Sequence, residues 1–235
     1  MKVKDILDRV TTLYNDLEYI RVPESHYLKF LDDALNQLVL SRPDSHVKNE
    51  IVKLVKGTRQ ELPNLGYTLI DIYMNKRRHE DGTYTNYRPV THVKREDMDH
   101  FSDWQSPIFA SYDHINEFAY DPKSPRIYWV SPIVGDKDVY VEMDYSYGFT
   151  KYGEMDVKEA REKEIDVSEV FMGPIISYML YLLYSTDSTS VNDRQIAAQY
   201  LQAFFQSISA EYSANQMVIP KADGNLPTIV GGAAQ

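Results

Sequence analysis

The sequence predicts an α+β fold: a discontinuous α-helical domain formed by both chain ends, with an inserted antiparallel β-sandwich-like module and an extended C-terminal arm. Three observations predict it. Apolar residues recur three and four apart near both ends, as one face of a helix requires. In between, the period falls to two, in short β-branched and aromatic runs punctuated by Gly and Pro. The last stretch holds too much Gly and Pro to be a core element. The boundaries that follow are 1–47 and 167–212 for the helical domain and 48–150 for the β module. Residues 151–166 form a charged connection, and 213–235 the arm.

The first helix runs from Val3 to Leu17 on a stripe of Val3, Ile6, Leu7, Val10, Leu13 and Leu17. After Val22-Pro23 a second buries Tyr27, Leu31, Ala34, Leu35 and Leu38, and Arg42-Pro43 ends it because proline cannot continue a helix. Strands are expected at 49–56, at 67–74 and across Tyr84 to Val93, giving six or so in all with Phe118 to Tyr120, Arg126 to Val130 and Val139 to Tyr147. Alternation in "DVYVEMDYSY" puts Val139, Val141, Met143, Tyr145 and Tyr147 on the core face and Tyr140, Glu142, Asp144 and Ser146 on the wet one. In the strand before it, Ile127 and Trp129 lie opposite Arg126, Tyr128 and Val130, with Trp129 assigned to the sandwich core. Pro122, Pro125 and Pro132 are expected where pairing begins or stops. Trp104, in a loop between polar turns, belongs either in a pocket under the sheet or at a subunit contact.

In the charged connection, Lys158–Glu162 and Glu159–Lys163 stand four apart and support a short solvated helix. Gly173-Pro174 opens a strongly apolar helix, proline being tolerated in the first turn. Ser190 with Asp193 resembles a capping box for a last helix carrying Ile196, Ala197, Tyr200, Leu201, Phe204 and Ile208. In the arm, Val218-Ile219 and Leu226 with Ile229-Val230 are separated by Pro220, Gly224 and Pro227. Such a pattern cannot fold alone but can lie extended in a groove of a neighbour.

The chemistry is sparse. The chain has no cysteine, which excludes disulfides, thiolate metal sites and cysteine nucleophiles. Its six histidines, His26, His46, His79, His92, His100 and His114, form no metal-ligand spacing, so neither a metal nor a cofactor is expected. Glu96, Asp97, Asp99, His100 and Asp103 are the nearest approach to an enzyme site, yet acids before a tryptophan serve as helix caps and turn formers, and catalysis is not expected. A net charge of −10 opposes general attraction to phosphate backbones. The basic runs Lys76-Arg77-Arg78-His79 and Lys94-Arg95 are each followed at once by acids and read as solvated loop charges. No run is long enough to span a membrane, and the start shows no signal-peptide pattern, so the protein is expected to be soluble with no membrane anchor.

Taken in order, "SRPD", "VKGTRQELP", "IDIYMN", "REDMDHFSDW", "FAYDPKSPRIYWVSP", "VEMDYSY" and "PIISYMLYLLYSTD" resemble the head-to-tail adaptor (connector) proteins of tailed bacteriophages. The matching positions include Gly57-Thr58-Arg59-Gln60, Leu62-Pro63, Asp103-Trp104 and Tyr120-Asp121-Pro122, and the likeness extends from the first helix to about Tyr212. The insert at 151–166 and the tail depart from it. The resemblance implies a non-enzymatic virion protein at the head-tail junction. It implies self-assembly into a ring, a dodecamer, between the portal protein and a downstream tail or nozzle protein. DNA would pass through without sequence-specific binding, and an acidic lumen would let it slide. On this view the arm is a docking arm for the portal or a neighbouring adaptor. The alternative is a carbohydrate- or receptor-binding tail module gripping its ligand with Tyr128, Tyr140 and Trp104.

Overall fold

The computed structural model describes residues 1–100, 104–106, 108, 112–186 and 191–218, the side chains of 100 and 211–218 excepted. Helices from both ends share one hydrophobic core, and the strands form a sandwich between them.

Helix α1 (Val3–Tyr14) buries Val3, Ile6, Leu7 and Val10 as its spacing predicts, but it stops short of Leu17. Asn15 takes the left-handed conformation that ends helices, at φ 57°, and its amide bonds back to the last turn. Asp16 then gathers the loop. Its carboxylate accepts the amides of Ile20, Arg21 and Val22 at 2.9, 3.1 and 3.1 Å and the Tyr27 hydroxyl at 3.1 Å. Burial pushes the Asp16 carboxyl up, and these four donors outweigh it and hold it below the ordinary range. The turn carries Leu17 out into solvent, and Leu13, at the edge of the α1 stripe, is exposed as well. Helix α2 (Glu24–Ser41) buries the expected stripe and ends at Arg42, whose guanidinium holds Asp44 at 2.7 and 2.6 Å and reaches the Ile208 carbonyl.

One sheet has the order β1 (Val47–Lys53), β8 (Tyr140–Tyr147), β3 (Gly66–Arg78), β4 (Tyr84–Pro89). The other runs β2 (Gly57–Glu61), β7 (Ile127–Val134), β6 (Glu117–Tyr120), β5 (Thr91–Val93). Pairing is antiparallel except between β5 and β6, which run parallel. The single strand expected over Tyr84 to Val93 is therefore two strands in different sheets. Pro89, lacking an amide hydrogen, ends the first, and Val90 donates to Tyr73 as the chain crosses. The pairing of β7 continues past Pro132 instead of stopping there. That proline falls where the β2–β7 register slips, between Gly57 opposite Val134 and Arg59 opposite Trp129, so no ladder bond is lost.

Val139, Val141, Met143 and Tyr145 fill the sandwich as expected. In β7 the alternation is right but the faces are reversed. Tyr128 and Val130 point into the core, while Trp129 is half-buried on the outer face. There it joins a small second cluster of Met98, Trp104, Ala119 and Val93, because α3 (Arg95–His100) and the following turn cover that face. Both faces of β7 are thus apolar, and alternation alone cannot tell inner from outer.

The charged connection is not merely solvated. Tyr152, Ala160 and Ile165 are buried in the helical core, and Ile165 donates its amide to the Met1 carbonyl at 2.7 Å. Asp156 caps α4 (Val157–Glu162) through the amides of Lys158 and Glu159, and Glu159–Lys163 closes at 2.9 Å. Helix α5 (Met172–Thr186) carries Pro174 in its first turn, and α6 (Val191–Val218) packs along it. Ser190 of the expected capping box lies outside the described residues. Helix α6 runs beyond the domain end expected at 212, so Val218 of the arm is helical; Ile219, Pro220, Leu226, Pro227, Ile229 and Val230 lie outside the described residues.

Candidate assembly surfaces

Strand β3 breaks the two-residue rhythm of a strand. Against β8 its paired residues run Gly66, Thr68, Leu69, Asp71, Ile72, Met74, Asn75, with the register slipping at each gap. Three residues of β3 thus face every two of β8, a β-bulge repeated three times. The left-over residues are Tyr67, Ile70 and Tyr73, exposed by 40, 40 and 43%. Gly66, Leu69, Ile72 and Asn75 point inward. Tyr73 donates to Asp144 at 2.7 Å, and that bond to a carboxylate is the main reason its hydroxyl is pushed up to about 12. Tyr67 leans over Gly148, where any Cβ would come within 2.9 Å of its hydroxyl. The result is an exposed ridge of two tyrosines and an isoleucine on the sheet's outer face.

The basic run at the end of β3 is a framework of paired charges. Lys76, mostly buried, meets Glu142 at 2.7 Å. Arg77 lies 4.1 Å above the Tyr87 ring and 3.6 Å from Asp113, and Arg88 approaches the same ring from 5.3 Å. Asp113 and Arg88 are joined through His114 at 3.1 Å each, and the His114 contact holds the Asp113 carboxyl low. Lys76, Arg77, Tyr87 and Asp113 line an open groove of about 430 Å³ together with Arg78, His79, Glu80, Asp138 and Tyr140. Lys76 and Arg77 are already paired with carboxylates and Glu80 and Asp138 share the lining, so the groove offers little net positive charge to a phosphate backbone.

The joint between helices and strands is built on His46. Its ring is stacked between Tyr147 and Phe149, at 3.8 and 3.9 Å, so the two chain crossings are clasped around one imidazole. Nδ1 lies 3.0 Å from the Tyr147 carbonyl and therefore carries the proton of the neutral ring. Nε2 is buried without a hydrogen-bond partner, 4.0 Å from an Asp166 carboxylate oxygen. Burial is the main cause that holds this histidine below its ordinary range.

The SU10 adaptor protein family model matches residues 1–223. The chain belongs to that family. It is a bacteriophage structural adaptor, and the family is a structural one. No curated protein matches the chain.

In this SU10 adaptor the aromatic platform of the alternative reading does not assemble. Tyr128 is inside the sandwich, Tyr140 is covered by Tyr84 and Arg78, and Trp104 is buried beneath Arg95, whose guanidinium lies 4.7 Å from its ring and 4.4 Å from that of Trp129. Little of Trp104 remains for a subunit contact. In the acidic cluster at 96–103, Asp99 accepts from Arg95 at 3.3 Å, while Asp103 lies outside the described residues. Among the described residues no group of three or more His, Cys, Asp or Glu side chains is placed to hold a metal ion, and no helix is long and apolar enough to cross a membrane. The Tyr67–Ile70–Tyr73 ridge escaped the sequence reading because a repeated bulge leaves no signature in a two-residue alternation. Its period of three was nonetheless there to be counted.

Proposed function

We propose that this SU10 adaptor forms a ring at the head-tail junction, joins the portal to the tail or nozzle protein and lines part of the channel through which DNA leaves the capsid. The observation that carries this reading is the family match over nearly the whole chain. The net charge of −10 supports it, since an acidic wall repels phosphate and gives passing DNA nothing to bind. The arm is the portal-docking element: Val218, Ile219, Leu226, Ile229 and Val230 supply apolar anchors, and Pro220 and Pro227 keep the chain between them extended. Ordering such a segment costs conformational entropy, which a repeated partner surface in a ring offsets at every subunit. Deleting residues 219–235 tests the reading. The truncated protein keeps its helical circular dichroism and melting temperature but no longer joins portal-containing particles. Normal incorporation, with virions that retain their DNA, would overturn the docking arm. Particles whose junction lacks a ring of this protein would overturn the ring itself.

A further inference from the structure

From Gln195 to Ala210 the helix α6 runs for sixteen residues without one charged side chain, in a chain that is 26% charged. A helix facing water normally carries charge there. Burial accounts for one side only, where Ala197, Phe204 and Ile208 pack into the helical core. On the other, Gln195, Ala198, Gln202, Phe205 and Ser209 are exposed and fall three, four, three and four residues apart, which is a single stripe along the helix. Phe205 stands out of it, 46% exposed. The hydroxyls of Ser207 and Ser209 turn back onto the carbonyls of Ala203 and Phe205, both at 2.8 Å, which lowers the polarity of this side further. Depletion of charge with an aromatic at the centre is the composition of an interface core, not of a solvated face.

A second bare surface lies at the far end of the helical domain's sequence. Leu13, at the edge of the α1 stripe, and Leu17 and Ile20, in the loop that Asn15 and Asp16 open, face outward, 55, 66 and 80% exposed. Leu13 also lines an open groove of about 530 Å³ between α1 and α5, together with Asp8, Arg9, Thr12 and Ile176. Apolar side chains grouped in this way mark an interaction site.

We propose that these two surfaces meet between neighbouring copies of this chain, the α6 stripe of one copy lying against the Leu13–Leu17–Ile20 patch of the next. The occupant is a second copy because of charge. Two molecules that each carry −10 repel wherever their charged faces meet, and a surface stripped of charge is the one that can approach its own kind. A partner of opposite charge would be met by acids, which this stripe lacks. The two surfaces also differ from each other. Contact between unlike patches is heterologous, the kind that builds a ring where the rotation closes, whereas a stripe pairing with itself stops at a dimer. The inference rests on the ring reading above and supplies its subunit interface.

A chain without cysteine allows a direct test, since introduced thiols are the only ones this chain carries, and cross-links between its copies are read from its own bands. Gln202→Cys, Leu13→Cys and the double variant are assembled into complete particles and treated with a short bismaleimide. The double variant is expected to give a ladder of covalent oligomers, a mixture of the two single variants is expected to give dimers, and each single variant alone is expected to stay monomeric. A companion variant, Gln202→Glu with Gln206→Glu, is expected to melt normally and to lose at least about tenfold in incorporation, because unpaired like charges are costly at an interface. Dimers from Gln202→Cys alone would show the stripe pairing with itself and overturn the proposal. Rings visible in the particles without any cross-link would overturn it while leaving the ring reading intact. Particles with no ring at all would overturn both.

Discussion

Residues 151–166 and 195–210 are stretches of equal length and opposite composition. Ten of the sixteen residues in the first are charged; none in the second is. The usual rule would send the first into solvent and the second into the core. The first is instead tied down along its length. Tyr152 and Gly153 donate their amides to the Asp32 carboxylate at 2.8 Å each, and Arg161 joins three elements by reaching Asp8 at 2.7 Å, the Tyr19 hydroxyl at 3.0 Å and Glu24. Between those charges Tyr152, Ala160 and Ile165 supply the apolar anchors. The uncharged stretch, by contrast, buries one side and leaves the other open. Charge density therefore does not decide what is attached. What decides is whether each charge finds a partner and whether a few spaced apolar residues reach a core.

The sharpest test of this contrast uses adjacent residues of α6. Phe204 is fully buried and packs at a tilt against Tyr178, their ring centres 5.0 Å apart, whereas Phe205 is nearly half exposed. Phe204→Ala is expected to cost about 3–5 kcal/mol, the range for removing a buried aromatic. Phe205→Ala is expected to cost no more than about 1.5 kcal/mol, since within the chain it loses mainly its edge contact with the Phe204 ring. Urea unfolding of the two variants reads both numbers. Equal losses would mean that the outer side of α6 is already engaged within the chain, and the contrast would fail.

On the charged side, Arg161→Met keeps the length of the side chain and removes its hydrogen bonds. The loss is expected to be about 1–3 kcal/mol, since the bonds to Glu24 and Tyr19 are partly shielded while the one to Asp8 is half exposed and counts for little. Hydrogen exchange should quicken in 151–166 before it does in α1 or α2. Unchanged exchange would mean that the apolar anchors alone hold the connection.

Much of the fold was legible because helices repeat on a period that local sequence displays. The stripes of α1 and α2, the opening of α5 and the core residues of β8 follow from spacing alone. The failures have local physical causes. Strand β2 carries no apolar alternation; its buried residue is Gln60, whose side chain bonds both the amide and the carbonyl of Val55. Trp129 and Tyr128 exchange faces because a short helix and a turn cover the outside of the second sheet, making both faces of β7 apolar. Leu17 fits the helical period and still ends outside, because Asn15 and Asp16 end the helix before it. Of the proposed assembly surfaces, the arm was visible as composition, while the bulged ridge and the bare α6 stripe required knowing which faces were already filled.

The smallest expected effect concerns the end of the charged connection, where Asp166 approaches His46. The neutral imidazole fits between Tyr147 and Phe149, and burial lowers its affinity for a proton below that of an unfolded chain. Between the folded and ordinary histidine ranges the unfolded state therefore binds more protons, so stability is complete above the ordinary range and falls as pH drops through it, levelling off once the folded ring also titrates. The acids held low, Asp16, Asp44 and Asp113, lose their contribution only at still lower pH, so the two windows separate. Asp166 acts against the burial, since its charge favours the protonated ring. Asp166→Asn should accordingly widen the window and deepen the loss, and His46→Phe should remove that part of the pH dependence while keeping the aromatic stack. Urea midpoints measured across the mildly acidic range give the comparison, with the His46 ring followed by NMR. A ring that titrates at or above the ordinary histidine value, or an Asp166→Asn profile identical to that of the parent, would show that the joint is open to water and that the connection's last charge does not reach it.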